Sequence, residues 1–199
     1  MELKNIMESP KRPVWDELSA ARTDYLAAVS PHYDEVLQEV AQRAEDTGSL
    51  GKADIGALVV WKRLSAQTTW ASELMSLPDT TVRSVTARAI QAVRDTGVSR
   101  AEAAKAGRGI IWELPGFRTG DALASAILTA VAPTRMAVYD RRVQQALDDL
   151  GLVLTRAPGR YSRYMALLDH LLIEGGQQAA GWTARDLDIA LYWIGGRMR

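Results

Sequence analysis

The chain has 199 residues, no cysteine, and 24 basic side chains balanced by 24 acidic ones. That length suits one generous domain or two small helical lobes sharing a core, and a hydrophobic fraction of 47% with 24% charged residues excludes the composition of a disordered chain. The missing cysteines exclude disulfides, thiolate metal sites and cysteine nucleophiles, and the neutral balance announces neither nucleic acid nor membrane, so any contact with DNA has to come from a local basic patch.

His32 and His170 stand far apart, which argues against a zinc site, and nothing in the sequence implies a metal or a cofactor. No apolar run approaches the ~20 residues that cross a bilayer. The opening "MELKNIMESPKRP", residues 1–13, is mixed in charge and lacks the apolar centre of a secretory signal. It reads as a loose start to a cytoplasmic protein without a membrane partner, followed by a single domain over residues 14–199.

Apolar residues at Val14, Leu18, Ala21, Tyr25 and Val29 form the stripe of an amphipathic helix, interrupted by Ser30 and Pro31. Tyr33, Val36, Val40 and Ala44 repeat the pattern up to a Gly-Ser-Gly turn, and the two helices are expected to pair as a hairpin. A third helix is predicted around Ile55 to Leu64 and a shorter one from Trp70 to Leu77, stopped by Pro78. Asp79 is placed to cap the next, whose buried face is Val82, Val85, Ala89, Ile90 and Val93. Ser99 and Glu102 have capping-box spacing and open a short helix that Gly107 is expected to end.

"GIIWELPGFRTGDALASAILTAVAP" breaks at Pro115 and Gly116 and resumes as a helix near Thr119, with Leu123, Ile127 and Ala130 facing inward. Asp140 is the expected N-cap of a helix that stops at Gly151. Two more helices follow, the last begun by Thr183 with Asp186 three residues on. No run alternates with period two. The fold class is therefore all-α, a multi-helix bundle with short loops and no repeat.

The order helix, "LPGF", tight turn, helix, short segment, "VYD", helix resembles the helix-hairpin-helix DNA glycosylase superfamily of the endonuclease III and oxoguanine glycosylase type. Leu114, Pro115, Gly116 and Phe117 match the hairpin, Val138, Asp140 and Val143 match the segment around the family's acid, and "RLSAQTTWASEL" at Arg63 to Leu74 is similar to the start of the family core. The likeness runs from about Leu58 to Gly151, and the C-terminal "TARDLDIALYWIGG" is similar to the ends of bacterial proteins of oxoguanine-glycosylase fold. Two positions depart from the pattern. Arg118 replaces the hairpin's second glycine, whose bare backbone admits a phosphate, although a guanidinium can substitute a side-chain contact. Gly120 stands where bifunctional members carry a nucleophilic lysine, so no amine is expected for a lyase step.

The resemblance implies a bundle of that type acting on DNA, with monofunctional removal of a flipped, damaged base. Asp140 would be the catalytic acid, stabilising charge on the sugar or taking a proton from the attacking water. Gly116, Phe117, Arg118, Thr119, Gly120, Arg141 and Arg142 would contact the DNA, and Gln67, Trp70 and Tyr139 would line the base pocket.

Each of these residues has a plainer reading. Aspartate is among the best N-caps with no chemistry at all. Arg141 and Arg142 would be a surface pair answered by Asp148 and Asp149, although cations in a first turn oppose the helix dipole. Of Trp61, Trp70, Trp112, Trp182 and Trp193, at most one is expected in a pocket, the rest in the core. Gln67 would bond a helix end, and "GRYSRY", Arg160 to Tyr164, is either a basic-aromatic patch or a solvated first turn. The alternative for the whole chain is a catalytically silent relative that serves as a nucleic-acid-binding or protein-interaction module; a small-molecule N-glycoside hydrolase is a third reading.

Overall fold

The computed structural model describes residues 12–197, so the expected loose start lies outside the described residues up to position 11. Among the described residues the regular structure is entirely helical: ten α-helices and one 3-10 turn, with no strand.

Helix α1 (Arg12–Ala28) buries Leu18, Ala21 and Tyr25 as its spacing predicts, with Trp15 on the same face. The 3-10 turn Pro31–Asp34 then leads into α2 (Glu35–Thr47), which closes at Gly48 with φ of 65°, a left-handed position that favours glycine. These two helices are not a hairpin. α1 packs mainly along α10 (Ala184–Ile194), and α2 packs on α3 (Lys52–Trp61) and α7 (Ala122–Val131). Both helices carry an apolar stripe, but a stripe says only that a face is buried and names no partner.

The short α4 (Thr69–Ser76) precedes α5 (Asp79–Arg94), whose expected inward residues are all buried. Asp79, however, does not cap α5: its Oδ1 accepts the backbone N–H of Lys52 at 2.8 Å, and its Oδ2 pairs with Arg83, so it closes the start of α3 instead. These donors, the Lys52 amide first and Arg83 next, hold the Asp79 carboxyl below the usual range. Helix α6 (Arg100–Ile111) opens with the Ser99–Glu102 capping box and runs through Gly107 rather than ending there. The reason is packing: a Cβ on Gly107 would meet Val93 Cγ1 at 2.5 Å and Leu128 Cδ2 at 3.2 Å, so the glycine admits a close helix crossing.

α7 is the centre of the bundle. It is buried at every position from Leu123 to Val131 and touches α2, α3, α5 and α6. Helix α8 (Arg141–Asp149), α9 (Arg160–Gly175) and α10 complete the other side, where α10 packs on α1, α8 and α9 while α9 reaches across to α6. One continuous apolar core joins both sides. No described helix is long and apolar enough to cross a membrane.

Candidate functional site

Between α7 and α8 the chain has no regular structure from Met136 to Asp140, and side chains rather than a sheet satisfy its backbone. Tyr161 and Tyr164, both fully buried on α9, donate their hydroxyls to the carbonyls of Ala137 (3.0 Å) and Val138 (3.2 Å). The Val138 N–H donates to Asp188 Oδ2 at 2.8 Å. Ser125 of α7 accepts the Tyr139 N–H at 2.9 Å and approaches the Tyr139 carbonyl at 3.2 Å. The "GRYSRY" segment is thus neither a patch nor a solvated turn; its tyrosines fix the segment that presents Asp140, and burial pushes both hydroxyl pKa values up.

Asp140 caps α8 as its position predicts, Oδ1 accepting the N–H groups of Arg142 (2.9 Å) and Val143 (3.1 Å). Its other oxygen has a partner the sequence did not disclose. Lys62 Nζ, at the C-terminal end of α3, lies 2.6 Å from Oδ2, and the two side chains are only 10% and 14% exposed. A residue 78 positions away therefore completes the site.

Asp140 sits where two cavities adjoin. One, of about 450 Å³, is walled by Tyr25, Tyr33, Trp61 and Tyr192, with Lys62, Arg63, Arg141, Arg142 and Arg185 as its cations. Arg142 lies over the Tyr192 ring, 4.7 Å from its centroid. Arg185 is held between Asp188 (2.7 Å) and Asp34 (3.1 Å); burial works against its charge, but these two carboxylates hold its pKa above the ordinary value. Asp34 also accepts the Trp61 indole N–H at 3.0 Å. Asp188 is fully buried, and that burial pushes its pKa up to about 6 although Arg185 and the Val138 N–H both favour the carboxylate. Burial likewise raises Tyr25 to about 12.

The second cavity, of about 500 Å³, is lined by Trp70, Gly116, Thr119, Gly120, Tyr139 and Asp140, with Arg141, Arg156 and Arg160 around it. Gly116 has φ of 90°, and the Trp70 ring packs directly on its backbone, where a Cβ would lie 2.4 Å from Cε3. Gly120, φ 71°, opens to free space. Asp121 follows as the N-cap residue of α7, yet its carboxylate pairs with Arg108 (2.9 Å) and Arg160 (3.2 Å) instead of capping, and Arg108 also donates to the Gly120 carbonyl at 2.8 Å. Two guanidiniums thereby clamp the tight turn.

The sequence-derived residues distribute unevenly over this geometry. Asp140, Trp70, Tyr139, Gly116, Thr119, Gly120 and Arg141 converge on the second cavity, and Asp140, Arg141 and Arg142 on the first. Gln67 is exposed and lines neither cavity, Phe117 is buried in the core, and Arg118 is exposed on the turn. Asp148 and Asp149 bond Gln144 and Gln145, so they do not answer Arg141 and Arg142. Two tryptophans, not one, face cavities: Trp61 and Trp70. Sequence reasoning missed Lys62, Arg63, Tyr33, Tyr192, Arg185 and Asp188. The one signal available was a basic-acidic pair, Arg185 and Asp188, at helical spacing on a face otherwise made of Ala184, Leu187 and Leu191.

No cluster of three or more His, Asp or Glu side chains among the described residues is arranged to hold a metal ion. What the arrangement offers is a carboxylate of fixed orientation beside a primary amine, at the junction of an aromatic, cation-rich cavity and a glycine-rich turn. No protein-family model matches the chain, and no curated protein or solved structure matches it significantly.

Proposed function

We propose that the chain has the helix-hairpin-helix glycosylase architecture and acts on DNA, cleaving the N-glycosidic bond of a flipped base with Asp140 as the catalytic acid. The observation that carries this reading is the position of Asp140: a carboxylate held by a side-chain-bonded segment and a helix N-terminus, lining both cavities. Loss of a base builds positive charge on the sugar, and a pre-oriented carboxylate stabilises that charge without reorganising. The neighbouring turn supports the same reading. Gly116 to Gly120 with Arg118, Arg141 and Arg142 supply backbone amides and guanidiniums for phosphates on either side of an extruded nucleotide. Trp61, Tyr33 and Tyr192 offer faces on which a base stacks.

The test is release of damaged bases from a panel of lesion-bearing duplexes at low salt, comparing the native protein with Asp140→Asn. Release that disappears in the variant, with DNA binding retained or tightened, supports the reading. No release by either protein, and no salt-dependent duplex binding, overturns it.

A second reading has its own observation. Three donors already occupy the Asp140 carboxylate, two backbone amides and Lys62, so cap and ion pair together account for the residue without chemistry. A catalytically silent module of the same fold predicts that Asp140→Asn leaves binding unchanged.

A further inference from the structure

We propose that the cavity walled by Tyr25, Tyr33, Trp61 and Tyr192 is a binding site for a planar aromatic anion, a ring system bearing a carboxylate, whose charge is received by Arg63 and Arg142. Binding of this kind goes beyond the reading of Asp140, because it requires no reaction at a sugar. The anion can arrive as a free molecule or as an acidic base carried by DNA, and the same groups would recognise both.

The charge of the cavity is one-sided. Five cationic side chains line it against two carboxylates, Asp140 and Asp188, in a chain whose formal charge is zero. Both carboxylates are already committed. Asp140 accepts the amides of Arg142 and Val143 on one oxygen and Lys62 on the other, and Asp188 accepts Arg185 and the Val138 N–H. Ten arginines among the described residues pair with a carboxylate; Arg63, Arg141 and Arg142, which all line this cavity, are not among them. Arg63 spends one N–H on the Tyr192 hydroxyl at 2.8 Å, and Arg142 lies over the same ring, 4.7 Å from its centroid. Two guanidiniums without a carboxylate partner among the described residues therefore flank one aromatic wall. Arg63 is held there with φ of 53°, the one left-handed non-glycine residue among those described, a conformation that persists where the surroundings demand it.

The chemistry of the ligand follows from what these groups leave unfilled. Guanidiniums only donate, and they do not lose their protons. Tyr25 lines the cavity without a hydrogen-bond partner among the described residues, and burial keeps its hydroxyl protonated by pushing its pKa up to about 12. Unmet donors beside a surplus of cations favour a ligand that brings acceptors and negative charge, and a guanidinium grips a carboxylate through two parallel N–H bonds. The walls set the rest. Tyr25 and Tyr192 stand edge to face at 6.4 Å, and Tyr33 lies 6.3 Å from Trp61, so the space is bounded by two pairs of rings. A volume of about 450 Å³ falls in the range of small-molecule sites, and aromatic faces suit a planar ring. A cationic ring meets the opposite conditions: repulsion from five like charges and no uncommitted carboxylate to pair with.

The experiment titrates the full-length protein in a calorimeter with three compounds that share one fused ring: 2-naphthoate, 2-naphthamide and 2-naphthylmethylammonium. Naphthoate should bind roughly tenfold or more tightly than the amide and weaken with added salt, and the cation should not bind. Arg63→Gln and Arg142→Gln should each weaken naphthoate about tenfold and leave the amide unchanged. Lys105→Gln, which removes the same charge from an exposed position on α6 that lines neither cavity, should change nothing. Equal affinities for the three compounds, preference for the cation, no binding of naphthoate at millimolar concentration, or full naphthoate affinity in both arginine variants overturns the proposal. The ligand series uses the native protein, so it decides even where a variant fails to fold. Competition then tells the two sources apart. Displacement of naphthoate by a duplex containing 5-carboxycytosine, and not by the same duplex with cytosine, identifies a base in DNA; displacement by neither identifies a free molecule. Base release from the lesion panel is read separately, and either result can fail without the other.

Discussion

Replacing Ser125 by alanine removes the side chain that satisfies the backbone of Tyr139, the residue before Asp140. Ser125 is fully buried, accepts the Tyr139 N–H at 2.9 Å and lies 3.2 Å from the Tyr139 carbonyl. Without Oγ the N–H keeps no partner and no route to water, a loss of about 1–3 kcal/mol. Alanine returns a few tenths of a kcal/mol through better helix propensity in α7. The net cost of about 1–2 kcal/mol lowers Tm by roughly 2–8 °C in a chain of this size. Calorimetry measures the shift, and hydrogen exchange at the Tyr139 amide measures its location. Protection should fall in the 136–140 segment while α5 and α6 keep theirs. An unchanged Tm together with unchanged exchange at Tyr139 would refute the claim that this serine holds the segment bearing Asp140.

Two glycines of one helix should respond with opposite sign: Gly107→Ala overpacks against Val93 and costs about 1–3 kcal/mol, whereas Gly109→Ala has open space and gains up to about 1 kcal/mol; urea titrations that rank them otherwise contradict the crossing described for α6. Gly116→Ala combines a left-handed φ with a clash on Trp70 and should cost about 2–4 kcal/mol with altered Trp fluorescence, against about 1 kcal/mol for the open Gly120; equal losses would remove the argument for Trp70. The fold holds the Asp188 proton more tightly than the unfolded chain does, its pKa rising from 3.8 to about 6. That contribution is complete below pH ~4 and lost as pH rises through ~6, so acidification from neutrality should stabilise the native protein, relative to Asp188→Asn, by up to about 3 kcal/mol. Parallel pH series of the two proteins check it, and identical slopes would show that Asp188 titrates normally.

Signals carried by neighbours in sequence were legible. The Ser99–Glu102 and Thr183–Asp186 boxes, the Asp140 cap and the left-handed stops at Gly48 and Gly151 all occur where they are expected, because each is decided within four residues. Signals whose meaning depends on a distant partner were not. Asp79 opens one helix and closes the start of another; Gly107 resembles a stop and is a contact; Tyr161 and Tyr164 look like surface aromatics and are the hydrogen-bond donors of the segment before Asp140. The site divides the same way. Asp140 and the Gly116 turn were readable from local pattern, whereas Lys62, Tyr192 and Arg185 reach the cavity from α3 and α10, and nothing local distinguishes a lysine at the end of an apolar helix from one that faces water.

Lys62 also sharpens the choice between the two readings of Asp140. A carboxylate whose charge is matched by an ammonium at 2.6 Å stabilises a cationic sugar less than a lone one would, since the amine repels the same charge that the acid attracts. Catalysis therefore requires the pair to change on binding: the amine has to swing to a phosphate, or give its proton to Asp140 and become neutral. A silent module requires the pair to persist. The ¹⁵N chemical shift and proton exchange of the Lys62 ammonium, followed with and without duplex DNA, separate these cases. A Lys62 signal that stays fixed while DNA signals elsewhere report binding would leave Asp140 as a cap and its lysine as a strut, however well placed both are.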